Sequence, residues 1–234
     1  FNAVSYLAVL ASLLSMRIER PPLASHEGGA LQSLREGFAY AFRTPHVRSL
    51  LSLVAATSFF GLPFSFFLPA IVGGTFRKGP SGLGELMACL GLGALCGALL
   101  MAHRKGTRDL GRLAGLFSLA FGALLVAFSL SRSFALSCAL LSACGFCMMA
   151  QMAAANTCLQ SFVPDQLRGR LMSLYVITFV GLAPLGGLLQ GRLADLASVQ
   201  AVILAGGVVT SAFAALFLLR PAPSGPLAPG PACG

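Results

Sequence analysis

Charge is what this sequence has least of. Lys, Arg, Asp and Glu together make up 10% of its 234 residues, where ordinary soluble domains carry about 25%. A soluble globule of this length still leaves roughly a quarter of its chain surface outside and needs polar side chains to cover it, so this composition excludes one. Intrinsic disorder is excluded as well, because it requires low hydrophobicity and high net charge, whereas 56% of the residues are apolar. Also missing are the segments of about ten residues, alternating in polarity, that mark a membrane β-barrel.

What the chain has instead is length without charge. Residues 49–76, 86–103, 113–131, 133–164, 171–191 and 196–219 each contain no Lys, Arg, Asp or Glu. Crossing about 30 Å of hydrocarbon as a helix takes roughly 20 apolar residues, and in that medium every backbone N–H and C=O must pair within its own segment. The expected fold class is an all-α membrane protein with six full transmembrane helices. A seventh run, residues 1–16, is too short to cross. It opens on Phe1, and Arg17 and Arg20 follow the apolar stretch instead of preceding it as a secretory signal requires. This run is expected to be the end of a truncated transmembrane helix.

Basic residues give the spans a direction. Of the 16 Lys and Arg, four (Arg77, Lys78, Arg132 and Arg192) fall in one alternating set of connections, and all the others fall in the opposite set. Positive residues are retained on the cytoplasmic side, which puts the richer set and the C-terminus inside. The formal net charge of +9 is therefore read as topology. Nucleic-acid binding wants a basic face on a soluble fold with a known motif, and no nucleic-acid partner is expected.

Four regions follow: the truncated helix at 1–16, a cytoplasmic linker at 17–48, a six-helix domain at 49–219 and a flexible Pro-rich cytoplasmic tail at 220–234. Within the linker, Leu31, Leu34, Phe38 and Phe42 recur at helical spacing. They predict an amphipathic helix that stops before Thr44-Pro45, since the residue before a proline is driven out of the helical region. Its partner is either the bilayer surface or a regulator that docks there.

Catalysis and metal binding find little footing. Six of the seven cysteines lie inside the apolar runs, where Cys acts as a small hydrophobe. Cys144 and Cys147 have zinc-like spacing but no second pair, and His26, His46 and His103 stand in loops or at a membrane edge. A hydrolase would need an acid or base beside its nucleophile within the bilayer, and no Asp lies mid-span. Neither enzymatic activity nor a metal or cofactor is expected.

The spans do carry packing and bending signals. Gly93 and Gly97, four apart, let a neighbouring backbone come close. Gly61-Leu-Pro63 and Gly181-Leu-Ala-Pro184 interrupt two spans, because proline removes a backbone donor. Gly181 and Pro184 are candidates for helix bending during transport, or for packing alone. Polar side chains in lipid turn toward partner helices or wet cavities, and Gln151, Asn156, Thr157 and Gln160, clustered in the fourth span, are open to either reading. Glu85 borders the second run, where it serves proton coupling or is simply solvated at the outer edge.

Val163-Pro-Asp-Gln-Leu-Arg168-Gly-Arg170-Leu-Met-Ser-Leu is similar to the loop between helices ten and eleven of one branch of the major facilitator superfamily. With Gly181-x-x-Pro184-Leu-Gly-Gly, Gly191-Arg-Leu-Ala-Asp195 and Glu36-Gly-Phe-Ala-Tyr-Ala-Phe-Arg-Thr-Pro45, the chain resembles the enterobactin-exporter and macrolide-efflux members. The resemblance implies a twelve-helix transporter of two six-helix halves, this chain being the C-terminal one and the N-terminal half its missing partner. It also implies a proton-coupled secondary exporter of a bacterial inner membrane, moving a small hydrophobic or amphiphilic molecule, a siderophore or a drug, by alternating access.

Within that frame, Ser58, Phe59, Gln151, Asn156 and Thr178 are the expected substrate-cavity residues. Aromatics and neutral amides suit a bulky organic molecule, whereas a carboxylate or phosphate substrate would favour a buried Arg or Lys. At the cytoplasmic boundary, Asp165 can cap a helix while Arg168 and Arg170 either clamp the inward-closed state or anchor to headgroups. The loop 103–112 lacks the Gly-x-x-x-Asp-Arg signature common in the superfamily. The alternative reading is a non-transporting membrane scaffold or receptor derived from a transporter half.

Overall fold

The computed structural model describes residues 11–12, 15, 30–104, 106, 109–163 and 165–219, and no strand occurs among them. They belong to two units, Phe1–Ser33 and Leu34–Gly234. Of the run at 1–16 only Ala11, Ser12 and Ser15 are described, all helical; residues 17–29 and the tail lie outside the described residues.

In the second unit six helical spans are long and apolar enough to cross a bilayer: Pro45–Gly74, Pro80–His103, Leu110–Leu130, Phe134–Ser161, Leu167–Leu196 and Val199–Leu219. Most overshoot the charge-free runs, so that Arg48, Glu85, Arg112, Arg168 and Arg192 belong to helices. A helix continues past the hydrocarbon into the headgroups, and its charged ends are solvated there.

Helix α1 (Ala30–Arg43) ends where the pre-proline restriction predicts. Thr44 is extended (φ −98°, ψ 104°), and Pro45 opens α2 (Pro45–Ala56) at a position that needs no N–H donor. The bundle side of α1 is formed by Gly37 and Ala41, both buried; a Cβ at Gly37 would come within 3.3 Å of the Arg170 carbonyl oxygen. Phe38 and Phe42 lie on the other side, exposed and stacked on each other at 6.4 Å. These two rings therefore face away from the bundle, while the side chains of Leu31 and Leu34 lie outside the described residues.

Two spans are interrupted at the glycine-proline stretches. Helix α2 passes through a π-helical turn (Thr57–Gly61) into α3 (Phe64–Gly74), and α7 (Asp165–Val176) passes through a second one (Ile177–Gly181) into α8 (Leu182–Leu196). In the first, the Leu62 N–H reaches back five residues to the Thr57 carbonyl at 2.9 Å, just before Pro63. Such wide turns absorb a break in the i to i+4 ladder.

The other four spans run unbroken: α4 (Pro80–His103), α5 (Leu110–Leu130), α6 (Phe134–Phe162) and α9 (Val199–Leu219). Helix α4 lies along α6, and α5 along both α6 and α9. A Cβ at Gly93 or Gly97 would stand 1.7 or 2.4 Å from the carbonyl oxygens of Ser142 and Phe146, and one at Gly145 would stand 2.0 Å from that of Leu90. The glycine pair is thus a packing face.

Two apolar cores result. One gathers Val47, Leu50, Leu110, Ala154, Leu159 and Leu171, among others; the second gathers Phe64, Leu68, Leu86, Phe121, Leu125 and Leu141. Thr57, Ser118 and Gln151, near the middles of their spans, lie in a polar layer between these cores.

Candidate functional site

Thr57 and Ser58 stand on the first π-helical turn, Ser118 in the middle of α5 and Gln151 in the middle of α6, and all four are buried. A polar group taken out of water without a partner costs roughly 1–3 kcal/mol, and three of them find each other. Thr57 Oγ1 donates to the Leu53 carbonyl at 3.0 Å and accepts from Gln151 Nε2 at 2.9 Å. Its one hydrogen being committed, Ser118 Oγ, 3.0 Å away, is the donor to it. Residues distant in sequence thereby tie three spans together.

Ser58 Oγ and Gln151 Oε1 remain without a partner. Both residues line a narrow cleft of about 10 Å³ with Met148, Met152, Tyr175 and Phe179. The Tyr175 hydroxyl donates to the Met152 carbonyl at 3.3 Å, and its ring stacks on Phe179 at 6.3 Å. Two thioethers and two rings make soft, polarizable walls around an amide oxygen and a hydroxyl. Among the described residues no charged side chain lines the cleft.

Beside the cleft, Gln190 of α8 donates from Nε2 to the carbonyls of Phe59 and Phe60 at 3.0 and 3.1 Å. Helices α8 and α9 come close enough only because Gly186 and Gly206 lack a Cβ, which would lie 2.0 and 2.4 Å from those same oxygens.

Of the expected cavity residues, the structure brings Ser58 and Gln151 together at the cleft. Phe59 sits next to Ser58 with its ring edge-on to Phe60 at 4.9 Å; it does not line the cleft, and neither does the half-buried Thr178 on the second π-helical turn. Asn156 lies further along α6 and accepts a hydrogen bond from Gln160. Arg168 is exposed and Arg170 half-buried on α7, whose first residue is Asp165, its side chain outside the described residues. Gly181 ends the second π-helical turn and Pro184 is exposed in the first turn of α8. Glu85 Oε2 is 3.6 Å from Lys78 Nζ, and that ammonium also sits 3.6 Å over the Phe134 ring; with both partners exposed, such a pair contributes little stability.

Thr57, Ser118, Tyr175 and Gln190 join the arrangement without having been singled out as site residues from the sequence. For Gln190 the signal was there: a lone amide in an apolar span, four residues after Gly186 and so on the same face. Cys144 and Cys147 are buried in the apolar core, and among the described residues no three His, Cys, Asp or Glu come together as a metal site.

Over residues 1–226 the sequence matches the model of a family described as transmembrane secretion effector. No curated protein and no solved structure matches it significantly. The family match spans nearly the whole chain and agrees with six apolar helical spans around a polar mid-depth layer. This is a multi-pass membrane protein that belongs to the transmembrane secretion effector family of the major facilitator superfamily of transporters.

Proposed function

We propose that the protein forms one six-helix half of a secondary active exporter and that the narrow cleft beside Ser58 and Gln151 is its share of the substrate cavity. The observation that carries this reading is the pair of buried, unpartnered atoms, Ser58 Oγ and Gln151 Oε1, in a cleft walled by Met and aromatic side chains at mid-depth. A stranded polar atom costs roughly 1–3 kcal/mol, and a substrate N–H or O–H entering the cleft regains it. With no cation on the lining, a neutral or amphiphilic organic molecule of the siderophore or drug type suits it better than an anion.

The second and fifth spans support the two-half architecture. Only 17% and 22% of their apolar windows are buried within the bundle, against 33 to 56% for the other four, leaving two faces for an N-terminal bundle to cover. Proton exchange is the proposed driving force. Its acid is expected from that N-terminal half, because the cleft residues carry none and Glu85 is exposed beside Lys78. The membrane is taken as the bacterial inner membrane with the C-terminus cytoplasmic, following the branch resemblance and the distribution of Lys and Arg.

In proteoliposomes holding the full transporter, an imposed pH gradient should drive movement of a fluorescent amphiphilic dye. Ser58→Ala should slow it about tenfold, the loss of one hydrogen bond made to substrate. Its unfolding temperature should not fall, since the variant only removes an unsatisfied hydroxyl. Dye movement indifferent to the gradient would favour the scaffold or receptor alternative, and full-rate transport by Ser58→Ala would remove the cleft from the substrate path.

A further inference from the structure

The geometry points to a dithiol site between α4 and α6, separate from the central cleft, at which Cys89 and Cys138 close into a reversible disulfide. The two helices run in the same direction and pack turn against turn. A Cβ at Gly93 would meet the Ser142 carbonyl oxygen, and one at Gly97, a turn further along α4, would meet that of Phe146, a turn further along α6. Carried one turn the other way, this register sets Cys89 against Cys138. A second turn sets Glu85 against Phe134, and Lys78 touches both: its ammonium is 3.6 Å from Glu85 Oε2 and 3.6 Å over the Phe134 ring. Cys89 and Cys138 thus lie between two observed contacts of one interface, and their side chains interact directly.

Spacing and access both favour the bond. A disulfide needs Cα atoms within about 7 Å, which helices at the usual axial separation of about 8–10 Å offer at few positions. Here Gly93 and Gly97 bring backbone against backbone, and the two cysteines stand one turn from that contact. Both thiols are free and half-buried, whereas Cys144, Cys147 and Cys158 are buried; Cys96 is exposed, off the stripe that Cys89, Gly93 and Gly97 share. The exposed Lys78–Glu85 pair lies one turn outward, so water-borne reagents reach the neighbourhood of the thiols.

The site lies toward the ends of the two spans that the distribution of Lys and Arg assigns to the outside, where oxidising conditions let disulfides persist. The oxidant is a soluble disulfide. One cysteine thiolate attacks it, expelling one thiolate and leaving a mixed disulfide; the other cysteine thiolate attacks that bond and expels the second. The two cysteines together lose two electrons and two protons, and the oxidant gains them as two thiols. The closed bond extends the glycine contact by a turn and keeps the outer ends of α4 and α6 from parting, and reduction releases them. The inference needs only this helix pair; it stands whether or not the export reading does.

The full chain, purified reduced in mild detergent, is treated with oxidised glutathione, its remaining thiols are alkylated, and a non-reducing tryptic digest is read by mass spectrometry. Cleavage after Lys78, Arg104, Arg132 and Arg168 puts Cys89 and Cys138 in different peptides, 79–104 and 133–168. These two peptides should appear joined, and dithiothreitol should separate them. Cys89→Ser and Cys138→Ser should each abolish the joined pair, and Cys96→Ser should leave it intact. Oxidation should raise the unfolding temperature of the unsubstituted chain by about 5–10 °C and that of neither Cys89→Ser nor Cys138→Ser. Peptides that stay separate after oxidation would overturn the inference. So would joining that survives Cys89→Ser or Cys138→Ser, or an unfolding temperature that oxidation leaves unchanged.

Discussion

Pro63 has no N–H, so the carbonyl of Phe59, four residues earlier, has no helical donor. Gln190 supplies one from another span, at 3.0 Å, and Gly186 one turn earlier clears the way. Gln190→Leu should therefore lower the unfolding free energy by about 1–2 kcal/mol. That is two interhelical bonds at the roughly 0.6 kcal/mol typical within membranes, raised by the stranded carbonyls, and is read from denaturant titration in mixed micelles. Gln200→Leu is the comparison: its amide reaches Thr75 at 2.8 Å on the exposed outer rim, and its loss should cost under about 0.5 kcal/mol. Equal losses at the two positions would remove this account of Gln190. That Ser58 and Gln151 share a buried cleft was legible as an expectation, because a polar atom in an apolar span needs a reason to be there. Thr57 and Ser118 were not, because a hydroxyl can satisfy itself on its own helix, as Thr57 does on Leu53, and its sequence position does not reveal what else it meets.

Helices α4 and α6 touch through backbone, with the Gly93, Gly97 and Gly145 positions each within 2.4 Å of a carbonyl if a Cβ were added. Gly93→Ala must push the pair apart and should cost about 1–3 kcal/mol, the usual range for overpacking a tight contact. Gly91→Ala, two residues away with nothing within 4 Å, should be neutral or stabilising, since Ala is the better helix former by about 1 kcal/mol. Thermal unfolding of the purified variants in one detergent compares them, and a Gly93→Ala protein as stable as Gly91→Ala would refute the contact. The glycine spacing announced this face, although it did not name the partner. In the same way Pro63 and Pro184 announced two interruptions, while the form they take, a wide turn in each of two spans, depends on what stabilises the carbonyls they release.

The distribution of Lys and Arg makes a statement about the molecule as a whole. With the seven native cysteines replaced, Arg77→Cys and Arg192→Cys should react with a membrane-impermeant maleimide added to intact cells. Arg104→Cys and Arg168→Cys should react only after permeabilisation. The reverse pattern would invert the topology. What the sequence determined by itself is the solvent and the segmentation: six stretches too long and too apolar for water, because hydrophobic transfer and backbone hydrogen bonding act locally and are written into composition and run length. What only the tertiary structure decided is which side chains meet. Thr57, Ser118 and Gln151 converge, and Gln190 finds Phe59, through the rotation and register of one helix against another. Those are set by close packing among residues far apart in the chain, which no local pattern encodes.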